Sequence, residues 1–237
     1  QQQQRFVSDA SHELRTPVTV ILGYSDLLAR WGSSDAKILE EGISSIRSEA
    51  EDMQDLIEKL LFLARADQKR QVLHKENVHL DELVDDAVRK MKLVAKQHTL
   101  RLEANEPGII YADPATMRQM MRIFLENAVK YTPEGGHITV ASRRLPEKEA
   151  MQLTFSDDGI GIAEEDQGKI FERFYRADSS RTKKAGSVGG TGLGLSIASW
   201  IAEQHDIDIA VESEFDKGTK FILTIPLSHD GESHIDA

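Results

Sequence analysis

Ser11-His12-Glu13-Leu14-Arg15-Thr16-Pro17 is the stretch of this sequence that decides both its fold and its chemistry. Around it, apolar residues recur at alternating steps of four and three, which predicts an amphipathic helix. The stripe consists of Phe6, Ala10, Glu13, Pro17, Val20, Tyr24 and Leu27. His12 is expected on the opposite, solvent-facing side, where an imidazole can meet a large substrate. Because Pro17 cannot donate to the carbonyl of Glu13, the helix is expected to bend or loosen one turn beyond His12.

A second helix follows, with a heptad spacing that continues for nearly four repeats. Its seam consists of Leu39, Ile43, Ile46, Ala50, Met53, Ile57, Leu60 and Ala64. Asp35, which ends the connection between the helices, is a candidate N-cap. The two helices are therefore expected to form an antiparallel hairpin. Because one hairpin cannot bury both apolar seams, we predict a homodimer in which two hairpins form a four-helix bundle.

The composition excludes several classes of protein. A chain of 237 residues, of which 40% are hydrophobic, is long enough for two modest domains. The net charge of −11 argues against a nucleic-acid partner, and the absence of cysteine excludes disulfides and thiolate metal sites. No apolar run has the length of a membrane span. The sequence begins abruptly within helical periodicity, so we expect it to be part of a longer protein.

After residue 70 the pattern changes to alternating strands and helices, which predicts an α+β multidomain protein. We expect a helical hairpin over 1–70, an α/β sandwich over 71–227 and a disordered tail over 228–237. Strands are predicted near 78–80, 100–103, 109–112, 138–143, 151–156, 207–213 and 220–225. Helices are predicted over 81–96, 113–131 and 192–204, with another amphipathic helix that ends at 171–175. Asp113 and Pro114 supply an N-cap and a first helical residue.

Four short motifs of the second domain contain residue types that bind nucleotides. They are Asn127-Ala128-Val129-Lys130-Tyr131, Asp157-Asp158-Gly159-Ile160-Gly161-Ile162, Phe171-Glu172-Arg173-Phe174-Tyr175 and Gly190-Thr191-Gly192-Leu193-Gly194-Leu195. The oxygen of Asn127 is a suitable ligand for Mg²⁺. The carboxylate of Asp157 can accept the amino hydrogens of adenine, while Gly159 and Gly161 allow backbone to approach the base. The amides of residues 190–194 lie at a predicted helix N-terminus, which favours phosphate.

Each motif alone also has an ordinary structural interpretation. Asp157-Asp158-Gly159 is a frequent hairpin turn, and residues 190–194 can form a flexible turn. The glycine motif is no P-loop, and Leu195 stands where a dinucleotide-binding fingerprint requires its third glycine. The polar run 176–189 is either a solvated loop or a mobile lid. Its cations Arg181, Lys183 and Lys184 could contact a triphosphate.

Taken in order, these motifs resemble those of the cytoplasmic catalytic portion of sensor histidine kinases of two-component signalling. The segment around His12 is similar to the phosphoacceptor box of that family, and the four later motifs are similar to its N, G1, F and G2 boxes. The resemblance covers residues 6–226. It implies a dimeric histidine-phosphotransfer bundle followed by an ATP-binding α/β sandwich, a fold shared with type II topoisomerases and mismatch-repair ATPases.

The resemblance also implies residue roles. His12 is the expected phosphoacceptor, Glu13 the general base, and Thr16 the residue that positions water during dephosphorylation of a partner. The residues expected to contact ATP are Asn127, Lys130, Tyr131, Asp157, Gly159, Gly161, Arg181, Lys183, Gly190, Thr191, Gly192, Leu193 and Gly194, with Asn127 also the expected Mg²⁺ ligand. Many family members have a second asparagine where this chain has Ile123, so we expect fewer protein ligands to the metal here.

The function that the resemblance implies is autophosphorylation of His12 from ATP. The phosphoryl group then passes to an aspartate in the receiver domain of a response regulator, and dephosphorylation of that regulator is a further option. An ATPase of the same fold driven by dimer closure and a non-catalytic nucleotide-binding scaffold remain as alternatives. The chain is expected to be the cytoplasmic portion of a bacterial membrane-anchored kinase, with membrane contact only through a sensor region that precedes Gln1.

Overall fold

The computed structural model describes residues 2–31, 35–177 and 190–228. The chain divides into two compact units, Gln1–Gln71 and Val72–Ala237. Of the predictions made from the sequence, the triphosphate contacts of Arg181, Lys183 and Lys184 lie outside the described residues, and so does almost all of the tail over 228–237. Among the described helices, none combines the length and the hydropathy that a membrane span requires.

The first unit is an antiparallel hairpin of helices α1 (Gln2–Trp31) and α2 (Ala36–Asp67). The direction follows from a close contact near the turn, where Gly42 at the start of α2 lies against Leu28 at the end of α1. Asp35 caps α2 as predicted, because its carboxylate accepts the N–H groups of Lys37 (2.9 Å) and Ile38 (3.4 Å). The helix α1 continues through Pro17.

The two faces of the hairpin differ from the heptad prediction in one respect. The stripe predicted on α1 is half-buried throughout. On α2, a line of buried residues runs through Gly42, Leu56 and Leu63 at multiples of seven residues. The predicted seam lies beside that line, so Ile43 and Ile57 remain exposed in the single chain. The antiparallel hairpin is therefore confirmed, while the pairing of two hairpins stays a prediction.

The described part of the second unit contains seven strands in two sheets. The strands are β1 (Glu76–His79), β2 (Thr99–Asn105), β3 (Ile109–Ala112), β4 (His137–Leu145), β5 (Ala150–Asp157), β6 (Asp208–Glu214) and β7 (Gly218–Pro226). Strands β1 and β3 form a small antiparallel sheet, and the main sheet has the order β2-β4-β5-β7-β6. Among the strands that the structure describes, only the edge strand β2 pairs in parallel, with β4, and the remaining neighbours are antiparallel.

Within the described ranges, three helices cover one face of the main sheet. They are α3 (Leu80–Val94), α4 (Pro114–Tyr131) and α6 (Gly194–Gln204), with α4 in contact with both others. The ring of Phe124 in α4 lies 5.4 Å from that of Phe155 in β5 and 4.9 Å from that of Phe221 in β7. Alternate residues of β5 point toward this helical layer, so Asp157 at the end of the strand lies on the same side as Phe155. The predicted helical hairpin followed by an α/β sandwich is confirmed.

A buried polar junction fixes the start of α4. The carboxylate of Asp113 accepts the N–H groups of Thr116 (2.9 Å) and His74 (2.8 Å). The Asp113 N–H donates to Nε2 of His205 at 3.1 Å, and Nδ1 of His205 donates to the carbonyl of Ile201 at 2.7 Å. Burial lowers the pKa of His205, which keeps the ring neutral and preserves both bonds. The predicted cap of α4 is confirmed.

Two predicted helices begin or end differently. The helix expected to end at 171–175 is wrong, because α5 contains only Glu164–Gln167 and is followed by single turns through residue 174. Gly168 favours helix termination, and Phe174 has a left-handed backbone (φ 60°) that no α-helix allows. The helix α6 begins at Gly194 rather than at Gly192, which has φ 66°.

Candidate functional site

The C-terminal end of α4 and the end of β5 meet at the edge of the helical layer. The N–H of Ile160 donates to the carbonyl of Tyr131 at 3.1 Å. A Cβ atom on Gly159 would collide with the same carbonyl, so only glycine allows this approach. The hairpin-turn interpretation of Asp157-Asp158-Gly159 is wrong, because β5 is followed by this contact and by α5 rather than by a paired strand. Of its two sheet neighbours, β4 precedes β5 and β7 begins only at Gly218.

Asp157 is a carboxylate in an unfavourable environment for its charge. Burial raises its pKa to about 6, although it accepts the N–H groups of Gly159 (2.9 Å) and Thr219. The neighbouring charge of Asp158 raises the pKa further. Asp158 itself is held away by His137, whose N–H and Nδ1 contact the two carboxylate oxygens at 2.7 and 2.9 Å. A desolvated acceptor of this kind suits a ligand that brings its own N–H donors.

Lys130 and Tyr131 connect this cluster to the glycine-rich segment. The Lys130 ammonium lies 5.1 Å from the centre of the Tyr131 ring and so close to Gly190 that a Cβ atom there would collide with Nζ. Burial raises the pKa of the Tyr131 hydroxyl, and the positive charge of Arg176 opposes that shift. A cation, an aromatic ring and a glycine backbone therefore lie together at the end of α4.

Asn127 lies one turn before Tyr131 and is half-buried. Among the described residues, its amide has no hydrogen-bond partner, so its oxygen is available to a ligand. Mg²⁺ prefers oxygen ligands and commonly keeps several waters and substrate phosphates, which fits a site with one protein amide. Ile123 is buried one turn earlier and lies against Gly194, where a Cβ atom would be 3.4 Å from Ile123 Cγ2. Ile123 therefore packs α4 against α6.

The other glycines of the predicted site have different surroundings. Gly161 (φ 66°) lies against the backbone of Glu214 at the β6–β7 turn. Gly192 lies against the backbone of Phe174. Leu193 is fully buried, so its side chain belongs to the core, whereas Thr191 is half-buried.

Sequence reasoning missed the start of β7. Gly218 has φ 114°, and a Cβ atom there would collide with the carbonyl of Asp157. Thr219 is the register partner of Asp157 and donates its N–H to that carboxylate. The sequence does indicate a turn at Gly218, which follows Asp216-Lys217 between two predicted strands. It does not indicate the contact of Gly218 with Asp157, because that contact depends on how the strands pair.

The predicted phosphoacceptor segment lies in the other unit. His12 and Thr16 are both exposed and are separated by one turn on the same face of α1, and Glu13 is half-buried beside them. His12 is therefore accessible on a continuous helix, as the sequence predicted.

Two family models match the two units. The model "His Kinase A (phospho-acceptor) domain" matches residues 2–69, and the model "Histidine kinase-, DNA gyrase B-, and HSP90-like ATPase" matches residues 112–229. The chain belongs to the sensor histidine kinase family. Among relatives of this family, Sensor histidine kinase YkoH of Bacillus subtilis (strain 168) is 40% identical over 217 residues, which cover 92% of this chain and 46% of YkoH.

Further comparisons agree with this family. Signal transduction histidine-protein kinase ArlS of Staphylococcus aureus (strain USA300) is 37% identical over 221 residues, which cover 93% of this chain and 48% of ArlS. The chain thus spans about half the length of the curated relatives it matches. The solved structure of Acinetobacter baumannii histidine kinase AdeS has a TM-score of 0.69 at 21% identity and covers 92% of this chain and 98% of its own. That likeness supports the fold.

Proposed function

We propose that this chain is an ATP-dependent histidine kinase that phosphorylates itself on His12. The observation that carries the proposal is that one chain contains two features. The second unit contains the cluster of Asp157, Gly159, Lys130, Tyr131 and Gly190, and the first unit contains the exposed histidine His12. The cluster combines an acceptor for adenine, an aromatic ring, a cation and a glycine-rich helix start. An exposed imidazole with a carboxylate one residue later suits a nucleophile and its base.

Each residue has a proposed role in nucleotide binding. The carboxylate of Asp157 accepts the amino hydrogens of adenine, and Gly159 and Gly161 shape the pocket by allowing close backbone contacts with Tyr131 and Glu214. Lys130 neutralises phosphate charge, and the amides of residues 190–194 lie at the positive end of α6. The backbone of Thr191 and Leu193, together with Arg181 and Lys183, completes the expected contacts. Asn127 would hold Mg²⁺, which neutralises phosphate charge when bound.

The proposed transfer conserves atoms and charge. A ring nitrogen of His12 attacks the γ-phosphorus of ATP, a P–N bond forms, and the bond from phosphorus to the bridging oxygen of ADP breaks. Glu13 takes the imidazole proton. The phosphoryl group then passes from His12 to an aspartate carboxylate in a response-regulator receiver domain. When the same chain dephosphorylates the response regulator, Thr16 would position the water that hydrolyses the aspartyl phosphate.

The assembly and location are also proposals. The exposed apolar residues of the hairpin, including Leu22, Ile43 and Ile57, support a homodimer that buries them in a four-helix bundle. We propose that the chain is the cytoplasmic portion of a membrane-anchored bacterial sensor kinase, since it spans about half of its relatives.

The test is incubation of the purified chain with Mg²⁺ and γ-labelled ATP beside a His12→Gln variant. The expected label is acid-labile, stable to alkali and absent from the variant. His79→Gln is the matched control, since His79 is an exposed histidine of the second unit, and it should retain the label. ATP turnover that survives His12→Gln would favour the ATPase, and nucleotide binding with neither label nor turnover would favour the scaffold.

A further inference from the structure

A hydrogen bond between Tyr175 and Asp166 lies outside the proposed nucleotide contacts. The Tyr175 hydroxyl donates to Oδ1 of Asp166 at 2.6 Å. Asp166 is buried, so water competes little for this bond. This bond raises the pKa of Tyr175 to about 12. The hydroxyl therefore keeps its proton, and remains a donor, throughout the physiological pH range.

The Asp166 end of this bond is fixed to the main sheet. Asp166 belongs to the short helix α5, whose next residue, Gln167, donates its amide to the carbonyls of Ser213 in β6 (2.9 Å) and Ile162 (3.1 Å). Ser213 in turn accepts the N–H of Ile162 at 2.7 Å. These bonds connect α5 to a paired strand, so Asp166 is a rigid point of attachment for Tyr175.

The Tyr175 end of the bond leads directly to the glycine-rich segment. The N–H of Phe174 donates to the carbonyl of Gly192 at 3.0 Å. A Cβ atom on Gly192 would lie 2.7 Å from the carbonyl carbon of Phe174 and 2.8 Å from the carbonyl oxygen of Tyr175. Both Phe174 (φ 60°) and Gly192 (φ 66°) have left-handed backbones at this contact. Because a non-glycine residue is strained in that conformation, Phe174 needs surrounding contacts to hold it there.

We propose that Tyr175 and Asp166 are positioning residues that hold the turn at Gly192, and with it the start of α6, in the orientation that binds the phosphates of ATP. This inference rests on the proposed function, because it assumes that phosphates bind at the start of α6. Gly194, the first residue of α6, follows Gly192 by two positions. A shift of the Phe174–Gly192 contact therefore moves the helix amides that would meet phosphate. Asp157, which would bind adenine, is attached to β5 and β7 and does not depend on this contact.

The test measures the affinity of the purified chain for ATP and for adenosine by calorimetry. Tyr175→Phe removes only the donor oxygen, and we expect it to weaken ATP binding about threefold to tenfold, the range of one lost hydrogen bond. Adenosine binding should not change. Tyr111→Phe is the matched control, since Tyr111 is an exposed tyrosine of the same unit with no hydroxyl partner among the described residues, and it should bind both ligands like the parent chain.

Variants of Asp166 test the same bond from the other side. Asp166→Ala should reproduce the loss of ATP affinity, whereas Asp166→Asn retains an acceptor oxygen and should restore most of it. The double variant Tyr175→Phe with Asp166→Ala should bind ATP no more weakly than Asp166→Ala alone. Thermal denaturation of each variant establishes that it is folded.

The outcomes separate this inference from the proposed function. If the parent chain bound neither nucleotide, the proposed function would be wrong and this inference with it. If the parent bound ATP but Tyr175→Phe and Asp166→Ala bound it equally well, only the positioning role would be overturned. An equal loss of ATP and adenosine affinity would also overturn it, because that result indicates a general structural role.

Discussion

The raised pKa of Asp157 predicts that adenosine binding depends on pH in a range where an ordinary aspartate would not titrate. The carboxylate accepts hydrogen bonds from the adenine amino group strongly when it is ionised, because protonation removes its charge and turns one of its oxygens into a donor. With a pKa of about 6 instead of 3.8, about half of the free protein is competent at pH 6 and about one-tenth at pH 5. Affinity should therefore fall about tenfold from pH 8 to pH 5. Adenosine is the suitable ligand, because it has no phosphate that titrates in this range.

The assay is a calorimetric titration with adenosine at half-unit steps between pH 5 and pH 8. Asp157→Asn should bind more weakly and show no such midpoint. Asp158→Asn is the matched control: it removes a charge that raises the pKa of Asp157, so the midpoint should persist but move to lower pH. An affinity for the parent chain that stays constant between pH 7 and pH 5 would refute the reasoning.

The same shift has a consequence for stability, with a defined sign. The folded-state pKa of Asp157 lies above its unfolded value, so the folded chain takes up the proton first. The stability that this protonation contributes is complete below pH 3.8 and is lost as the pH rises through about 6. The difference between the two values corresponds to about 3 kcal/mol at most. Asp157→Asn should therefore raise the unfolding free energy at pH 8 by up to that amount, as measured by denaturant titration.

Three further predictions concern backbone space and a buried histidine. Gly23→Ala should raise the unfolding free energy of the hairpin by up to about 1 kcal/mol, because a Cβ atom there meets nothing within 4 Å. Gly42→Ala should raise the unfolding free energy less, or lower it, because its Cβ would lie 2.7 Å from Leu28 Cδ2. Equal increases for the two variants in denaturant titration would contradict this description of the packing. Gly192→Ala should cost about 1 to 3 kcal/mol of unfolding free energy, because its left-handed backbone and its close contact both exclude a side chain; an unchanged melting temperature would contradict this. Burial lowers the pKa of His205, so as the pH falls the unfolded chain binds the proton before the folded chain does. The stability that the neutral ring contributes is therefore lost as the pH falls below 6.5. The difference in unfolding free energy between the parent and His205→Gln should shrink from pH 8 to pH 5.

Local signals in the sequence were sufficient where the determining contacts are themselves local. The start of α4 was predictable because a capping aspartate and a following proline act within a few residues. The hairpin was predictable because its stripe has a regular period. The helix expected at residues 171–175 failed, because its apolar spacing carries no information about the left-handed backbone of Phe174. That backbone depends on the contact with Gly192, which is distant in sequence.

The sheet order and the surroundings of the site required the structure. The parallel pairing of β2 with β4 follows a crossover that the strand patterns do not specify. The sequence selected Tyr131, Asp157 and Gly159 for their chemistry, and the structure brings them into contact. It also adds Gly218 and Thr219, whose proximity to Asp157 arises from the register of β7. The catalytic and binding roles of these residues stay predictions.

The edge strand β6 also determines how copies of this protein can meet. Asp208, Glu212 and Glu214 lie exposed on one face of that strand. A second β6 laid alongside would bring carboxylates against carboxylates, and acidic edges of this kind discourage sheets from growing by strand addition. Strand addition at this edge of the sheet is thereby disfavoured. In the proposed homodimer, copies would instead associate through the apolar helical surface that includes Ile43 and Ile57.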